Sequence, residues 1–233
     1  MARRPARERK KEHEDDAFIA RILQLSHWAE THRQALFVVG AILVIAVGAG
    51  LYYRSYRESL IGEAAQSMEQ IHQSLSLQDS QGAKNQLVTF LQRFNGTPYA
   101  GEARMLLGQI YLENNQPQQA QAVLEPIAES PSKPIELQAA ALLGAAYEQE
   151  KRWDDAVQVY MRIADRSKLD FEVRDALANA ARIKAQQGDK AGAAKLYQRI
   201  LASLGPNDPD RGLYKMRVQE MDTKAVNAKA SDG

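Results

Sequence analysis

Two stretches decide how this chain is read: MLLGQIYLENNQPQQA at 105–120 and ALLGAAYEQEKRWDDA at 141–156. Each sets Leu, Gly and Tyr at the same places and an Ala further on: Leu107, Gly108, Tyr111 and Ala120, then Leu143, Gly144, Tyr147 and Ala156. Apolar residues return every three or four positions on both sides of a short polar turn, ENNQPQ in one and EQEKRWDD in the other. That is the pattern of two helices folded back on each other. Glycine in the first helix lets the two helices approach closely, while the tyrosines and later aromatics fill the seam. Asp154 and Asp155 stand where acids favour a helix N-terminus.

Outward from these stretches the alanine supplies the phase. Ala83, Ala120, Ala156 and Ala193 stand 37, 36 and 37 residues apart, inside the phrases GAKNQLVTFLQRF, PQQAQAVLEPIAE, DDAVQVYMRIADR and GAAKLYQRILASL. Each writes the same helix face. A period in the mid-thirties marks an array of helical hairpins, which predicts an all-α solenoid of about four units. The units fall at about 64–97, 101–134, 137–170 and 174–207. The fourth keeps Gly188-Asp189 at its turn, Ala193, Tyr197 and Ile200, with Ala181 in place of the helix glycine. The first is the most worn, with Ile71 where the glycine would stand. Degenerate end units are expected, because terminal repeats cap the stack. Prolines 98, 131, 134, 206 and 209 belong to the inter-unit loops, where they break no helix. A last helix at about 210–224 covers the exposed end, so the repeat domain spans 64–224 and the tail 225–233 reads as disordered. The L-G-x-x-Y then A spacing resembles the tetratricopeptide repeat.

A different segment precedes the array. ALFVVGAILVIAVGAGLYY, at 35–53, carries no charge and is bracketed by Arg33 and Arg54. As a helix it spans roughly 28 Å, close to the hydrocarbon core of a bilayer. Tyr52, Tyr53 and Trp28 fall where an interfacial aromatic belt lies, and Gly40, Gly48 and Gly50 are ordinary in a membrane helix. The rival readings are a cleaved signal peptide and a buried core helix. The 34 residues ahead of the apolar run are too many for the first, and the run is too long without a polar group for the second. A single transmembrane helix is expected, followed by a linker or helix continuation at 54–63. Residues 16–30 form an amphipathic stripe through Phe18, Ile22, Leu25 and Trp28 that suits a headgroup plane or another protein's surface.

Charge and composition narrow the function. The 233 residues carry a net charge of +1 and no cysteine, which rules out disulfides, thiolate metal sites and a cysteine nucleophile. Six basic residues lie between Arg3 and Lys11, offering charge to anionic lipid or nucleic acid. The reading adopted for the tail 1–34 is a solvated cytoplasmic terminus that sets topology, N-terminus inside and C-terminal domain outside, with no nucleic-acid partner. The four histidines, His13, His27, His32 and His72, have no partner at metal-ligand spacing. Asp154-Asp155 reads as a turn, and Asn95-Gly96-Thr97 is a short glycosylation match that matters only in a eukaryotic secretory route. No nucleophile elbow or phosphate loop is present. The expectation is a binding protein, with no catalytic residues, cofactor or metal.

The repeat phase places a candidate partner-binding concave face on the first helix of each hairpin. It comprises Met68 and His72, then Met105, Gln109, Leu112 and Glu113, then Ala141, Ala145, Glu148 and Gln149, then Arg182 and Gln186. The Lys/Asn set that clamps a C-terminal carboxylate in chaperone-binding tetratricopeptide domains is absent from these positions. Gly108, Tyr111, Ala120, Gly144, Tyr147, Ala156, Ala193 and Tyr197 are assigned to repeat packing. One membrane helix followed by degenerate repeats, from about Phe18 to Lys224, resembles the ancillary SecYEG translocon subunit family. The resemblance implies a single-pass protein of the bacterial inner membrane, with a periplasmic array that holds a chaperone or prolyl isomerase near the translocon. An envelope-assembly or division scaffold, or a non-catalytic subunit of another membrane complex, is the alternative.

Overall fold

A computed structural model describes the backbone of residues 32–231 and the side chains of residues 32–222. The amphipathic stripe at 16–30 and the basic cluster before it lie outside the described residues. Among the described residues the regular structure is helical. The helices are α1 (Arg33–Ser76), α2 (Ser80–Phe94), α3 (Ala100–Glu113), α4 (Pro117–Ala128), α5 (Pro134–Gln149), α6 (Trp153–Arg166), α7 (Asp170–Gln186), α8 (Lys190–Ser203) and α9 (Arg211–Ser231). The chain divides into two compact units, Met1–Ser59 and Leu60–Gly233, and α1 contributes residues to both. The segment 54–63 is therefore helix.

In the first unit, the described part of α1 is apolar and bare. Phe37 is 79% exposed and Ile45 70%, with nothing in this unit packed over them. It is one helix long and apolar enough to cross a membrane. Where the uncharged run ends, Arg54 Nε donates to Glu58 Oε1 at 3.0 Å.

The second unit is the solenoid. Its hairpins are α1–α2, α3–α4, α5–α6 and α7–α8; α9 packs on α8, and α3 packs on α5 as well as on α4. All four phase-setting alanines are fully buried. The repeat is thus defined by a position where only a methyl fits between crossing helices. Larger apolar groups surround it: Leu87, Leu107, Leu124 and Leu177 are buried, each stabilising the fold by about 2 kcal/mol over exposure. Gly108 and Gly144 act as the spacing predicts. A methyl on Gly108 would stand 2.6 Å from Leu124 Cγ, and one on Gly144 would stand 2.7 Å from Tyr160 Cζ, both inside van der Waals contact. In the first hairpin Ile71 occupies the equivalent place, fully buried, and α1 and α2 lack the close backbone approach of the other pairs.

The core is correspondingly split. A smaller cluster joins α1, α2 and one side of α3 through Met68, Ile71, Phe90, Leu107 and Ile110. A larger one runs from Leu112 on α3 to Met221 on α9. Tyr111 and Val123 touch both.

The turns are alike where the cores differ. Each hairpin turn holds one residue in the left-handed region: Gln78 (φ 61°), Asn115 (φ 55°), Lys151 (φ 59°) and Gly188 (φ 86°). The next residue donates back across the helix end, Asp79 to Ser74, Gln116 to Tyr111, Arg152 to Tyr147 and Asp189 to Lys184, at 2.8–3.0 Å. This is the Schellman closure, which satisfies carbonyls that a helix end leaves bare. In the first and fourth turns that same residue then caps the following helix: Asp79 Oδ1 accepts from the Gly82 amide and Asp189 Oδ1 from the Gly192 amide, each at 2.8 Å.

Three boundaries differ from the sequence reading. Pro134 begins α5 instead of lying in the loop, a position that suits a residue with no amide proton. Pro126 sits within the last turns of α4. The last helix, read as ending at about 224 before a disordered tail, continues as helix to Ser231.

Candidate functional site

The first helices of the hairpins are buried on more than one side, which leaves each a narrow outward stripe. Gln109, Glu113, Gln149, Arg182 and Gln186 are exposed, and Met105 and Glu148 are half-buried. Leu112 and Met68 are not on this stripe. Leu112 is buried in the larger cluster and Met68, at 3% exposure, in the smaller. His72 is outward, and its Nε2 lies 2.9 Å from Glu102 Oε1, tying α1 to α3.

Two adjoining grooves lie along α7. One, of about 220 Å³, is formed between α5, α6 and α7 by residues including Leu137, Ala141, Tyr160, Phe171, Asp175 and Asn179. The other, of about 510 Å³, is formed between α7, α8 and α9 by residues including Asn179, Arg182, Gln186, Tyr197, Tyr214 and Arg217. Asn179 lines both, so the two are neighbours. Ala141, Arg182 and Gln186, expected on the face, line them; Met105, Gln109, Glu113 and Gln149 stand outside these two grooves.

A polar cluster holds the join. Arg182 Nη2 donates to both oxygens of Glu148 at 2.8 and 2.7 Å, and reaches Asn179 Oδ1 at 3.4 Å. The Tyr160 hydroxyl donates to Glu148 Oε1 at 2.9 Å. Burial first, and then the Glu148 carboxylate, push the Tyr160 phenol above its ordinary range, with Arg182 pulling the other way. Tyr160 therefore stays a neutral donor. The same tyrosine fills the space left by Gly144, so the repeat glycine and the face polar cluster are joined through one ring. In the second groove the rings of Tyr197 and Tyr214 lie tilted with centroids 6.2 Å apart. Burial raises both phenols.

The opposite edge of the second and third hairpins is stitched differently. Arg152 lies 4.4 Å from the centroid of the Tyr147 ring, and its Nε donates to Asp155 at 2.7 Å. Its Nη1 donates to Gln121 Oε1 at 3.0 Å, and Gln121 Nε2 donates to Glu150. The Tyr147 hydroxyl donates to Glu125 at 3.0 Å, and burial followed by that hydrogen bond raises its phenol. Comparable links recur one repeat apart, as in Arg199 to Asp165 at 2.9 Å. These contacts set the stacking of the units. They offer no nucleophile or paired acid for chemistry.

Sequence reasoning missed Asn179, Arg217 and Tyr214 as groove residues, because they come from α7 and α9 and no repeat position marks the cap. The exposed apolar side chains Phe171 and Leu213 are the signal that could have pointed there, since each is an aromatic or aliphatic group in an otherwise polar helix start.

The comparisons agree with this architecture. A family model described as "Tetratricopeptide repeat-like domain" matches residues 26–223. Among solved structures, the chain is similar to a Podosopora anserina protein assigned as a kinesin light chain with nearly identical TPR-like repeats, at 17% identity and a TM-score of 0.55, covering 72% of this chain and 89% of that one. A single-substitution variant of the same protein gives 19% identity and a TM-score of 0.53, with 72% and 96% covered. At this identity the likeness shows the fold alone. No curated protein matches.

Proposed function

The chain belongs to the tetratricopeptide repeat-like domain family, and from that premise we propose that it is a membrane-anchored adaptor that holds protein partners on the outward stripe of its first helices. A tetratricopeptide-like domain is a protein–protein interaction scaffold. The observation that carries the anchoring is the uncovered apolar run of α1, bracketed by Arg33 and Arg54 in the same chain as the solenoid. Tethering raises the local concentration of a weak site, so a partner needs only modest affinity.

The finer reading follows the resemblance to ancillary translocon subunits. The protein sits in a bacterial inner membrane with its N-terminus cytoplasmic and its repeat domain periplasmic, and links SecYEG-dependent export to a chaperone or prolyl isomerase. The basic cluster before α1 supports that orientation. Photo-crosslinkers placed at Gln109, Gln149 and Gln186 in native membranes should capture the translocon or a periplasmic folding factor, while one at Gln158, on the edge lined by Glu125 and Arg162, should not. Capture of a cell-wall or respiratory complex without either component would sink the export reading. Crosslinks confined to Gln158 would sink the face assignment. A reporter fused after Lys224 tests topology separately; activity of a cytoplasmic reporter alone refutes the outward assignment.

A further inference from the structure

The two grooves along α7 carry opposite charge. The smaller has an apolar floor of Leu137, Ile163, Ala176 and the Tyr160 ring, and Phe171 at its mouth is 54% exposed. Its charged lining is Glu172 and Asp175, with no cation. Glu172 accepts from Ser167 Oγ at 2.5 Å, while Asp175 forms no ion pair among the described residues. The larger groove is lined by three cations, Arg182, Lys190 and Arg217, against the single carboxylate of Glu220. Its floor is the Tyr197–Tyr214 pair. Arg182 is held by Glu148 and Arg217 Nη1 donates to Glu220 at 3.2 Å. The surplus of positive charge in this lining remains.

We propose that this continuous groove takes an extended segment of a partner protein that is itself bipolar: a Lys or Arg beside a large apolar residue at one end, and an Asp or Glu at the other. The proposal rests on the reading of this face as the partner-binding surface, and names the chemistry of the segment bound there. The apolar side chain enters beside Phe171 over Leu137 and Ile163, where burying it stabilises the complex. The adjacent cation meets Asp175 and Glu172. The wall that both grooves share fixes the spacing. From Asp175 to Gln186, α7 rises about 16 Å. An extended chain at about 3.3 Å per residue covers that length in about five residues. The acidic group of the segment therefore falls about five positions from its basic one, against Lys190 and Arg217. Charge complementarity of this kind selects partner and register more than it adds affinity.

The test uses the full chain in mild detergent and three capped, fluorescein-labelled hexapeptides, read by anisotropy. Lys-Leu-Ser-Ala-Ser-Glu has both ends matched, Glu-Leu-Ser-Ala-Ser-Glu reverses the basic end, and Lys-Ser-Ser-Ala-Ser-Glu lacks the apolar anchor. The first should bind about tenfold more tightly than either of the others. Replacing Glu172→Lys and Asp175→Lys together should reverse the preference between the first two peptides, and Asp175→Asn, which leaves the helix start less disturbed, should narrow it. Equal binding of the three, or no binding of any, overturns the bipolar chemistry. The adaptor reading then still stands if the crosslinks from Gln149 and Gln186 are obtained, and falls with them if they are not.

Discussion

The first hairpin and the third solve one packing problem in opposite ways. In α5–α6 the helices meet at Gly144, and the Tyr160 ring lies where a side chain on that residue would go. In α1–α2 the equivalent residue is Ile71, fully buried, and the space between the helices is filled by side chains such as Phe90 in place of close backbone contact. The phase of the repeat is kept in both, since Ala83 and Ala156 are equally buried. The difference teaches that the alanine defines the unit, while the glycine only sets how near its two helices stand.

The largest expected effect attacks this contrast directly. Ile71→Gly should cost about 4 kcal/mol, from a cavity that the widely set helices cannot close together with the loss of a helix former. If the first hairpin can instead adopt the close packing of the third, urea unfolding of the full chain in detergent will show little change. Gly144→Ala is the mirror experiment. Overpacking against Tyr160 exceeds the gain in helix propensity, for a net loss of about 1–2 kcal/mol. Gly62, by contrast, has nothing within 4 Å of an added methyl, so Gly62→Ala should stabilise by about 0.5–1 kcal/mol and separate glycines kept for packing from those that are not.

A further pair sharpens what the hairpins share. Lys151 pays for a left-handed conformation that glycine adopts freely, so Lys151→Gly should raise the stability of the third hairpin by about 1 kcal/mol. Hydrogen exchange of the α5–α6 amides reads this, and a loss of protection would show that the Lys151 side chain matters more than its backbone. The smallest effect concerns the last turn. The Gly192 amide, and then Lys184, hold the Asp189 carboxyl below its ordinary 3.8. A lowered carboxyl contributes stability that is fully present above the unfolded value and is lost as pH falls through the folded one. Asp189→Asn should therefore leave stability near neutral pH almost unchanged, because Asn caps nearly as well, and should flatten the acid slope below about pH 4. An unaltered slope would mean that the cap carries no charge-dependent stability.

Much of this was legible because repetition amplifies weak signals. A lone buried alanine says nothing, whereas four in register fixed the hairpins, and Gly108 and Gly144 lie against the second helices as their spacing implies. The left-handed turns were legible only at Gly188. Gln78 and Lys151 are poor left-handed residues, and they are found only by counting five residues back from each alanine. Leu112 and Met68 were misplaced on the outer face for a physical reason. A helix packed on both sides has an exposed stripe narrower than a 3.6-residue periodicity can resolve, and one position of phase error moves a side chain into the core. The groove at the cap was invisible, because α9 lies outside the repeat.

The division of the core at α3 has a mechanical meaning. Tension applied to the array through α1 loads the smaller cluster before the larger, and the only shared apolar contacts at the boundary are those of Tyr111 and Val123. A stack joined this lightly yields by one hairpin at a time. The first pair of helices is thus a compliant coupling, able to give way while the groove along α7 keeps its shape.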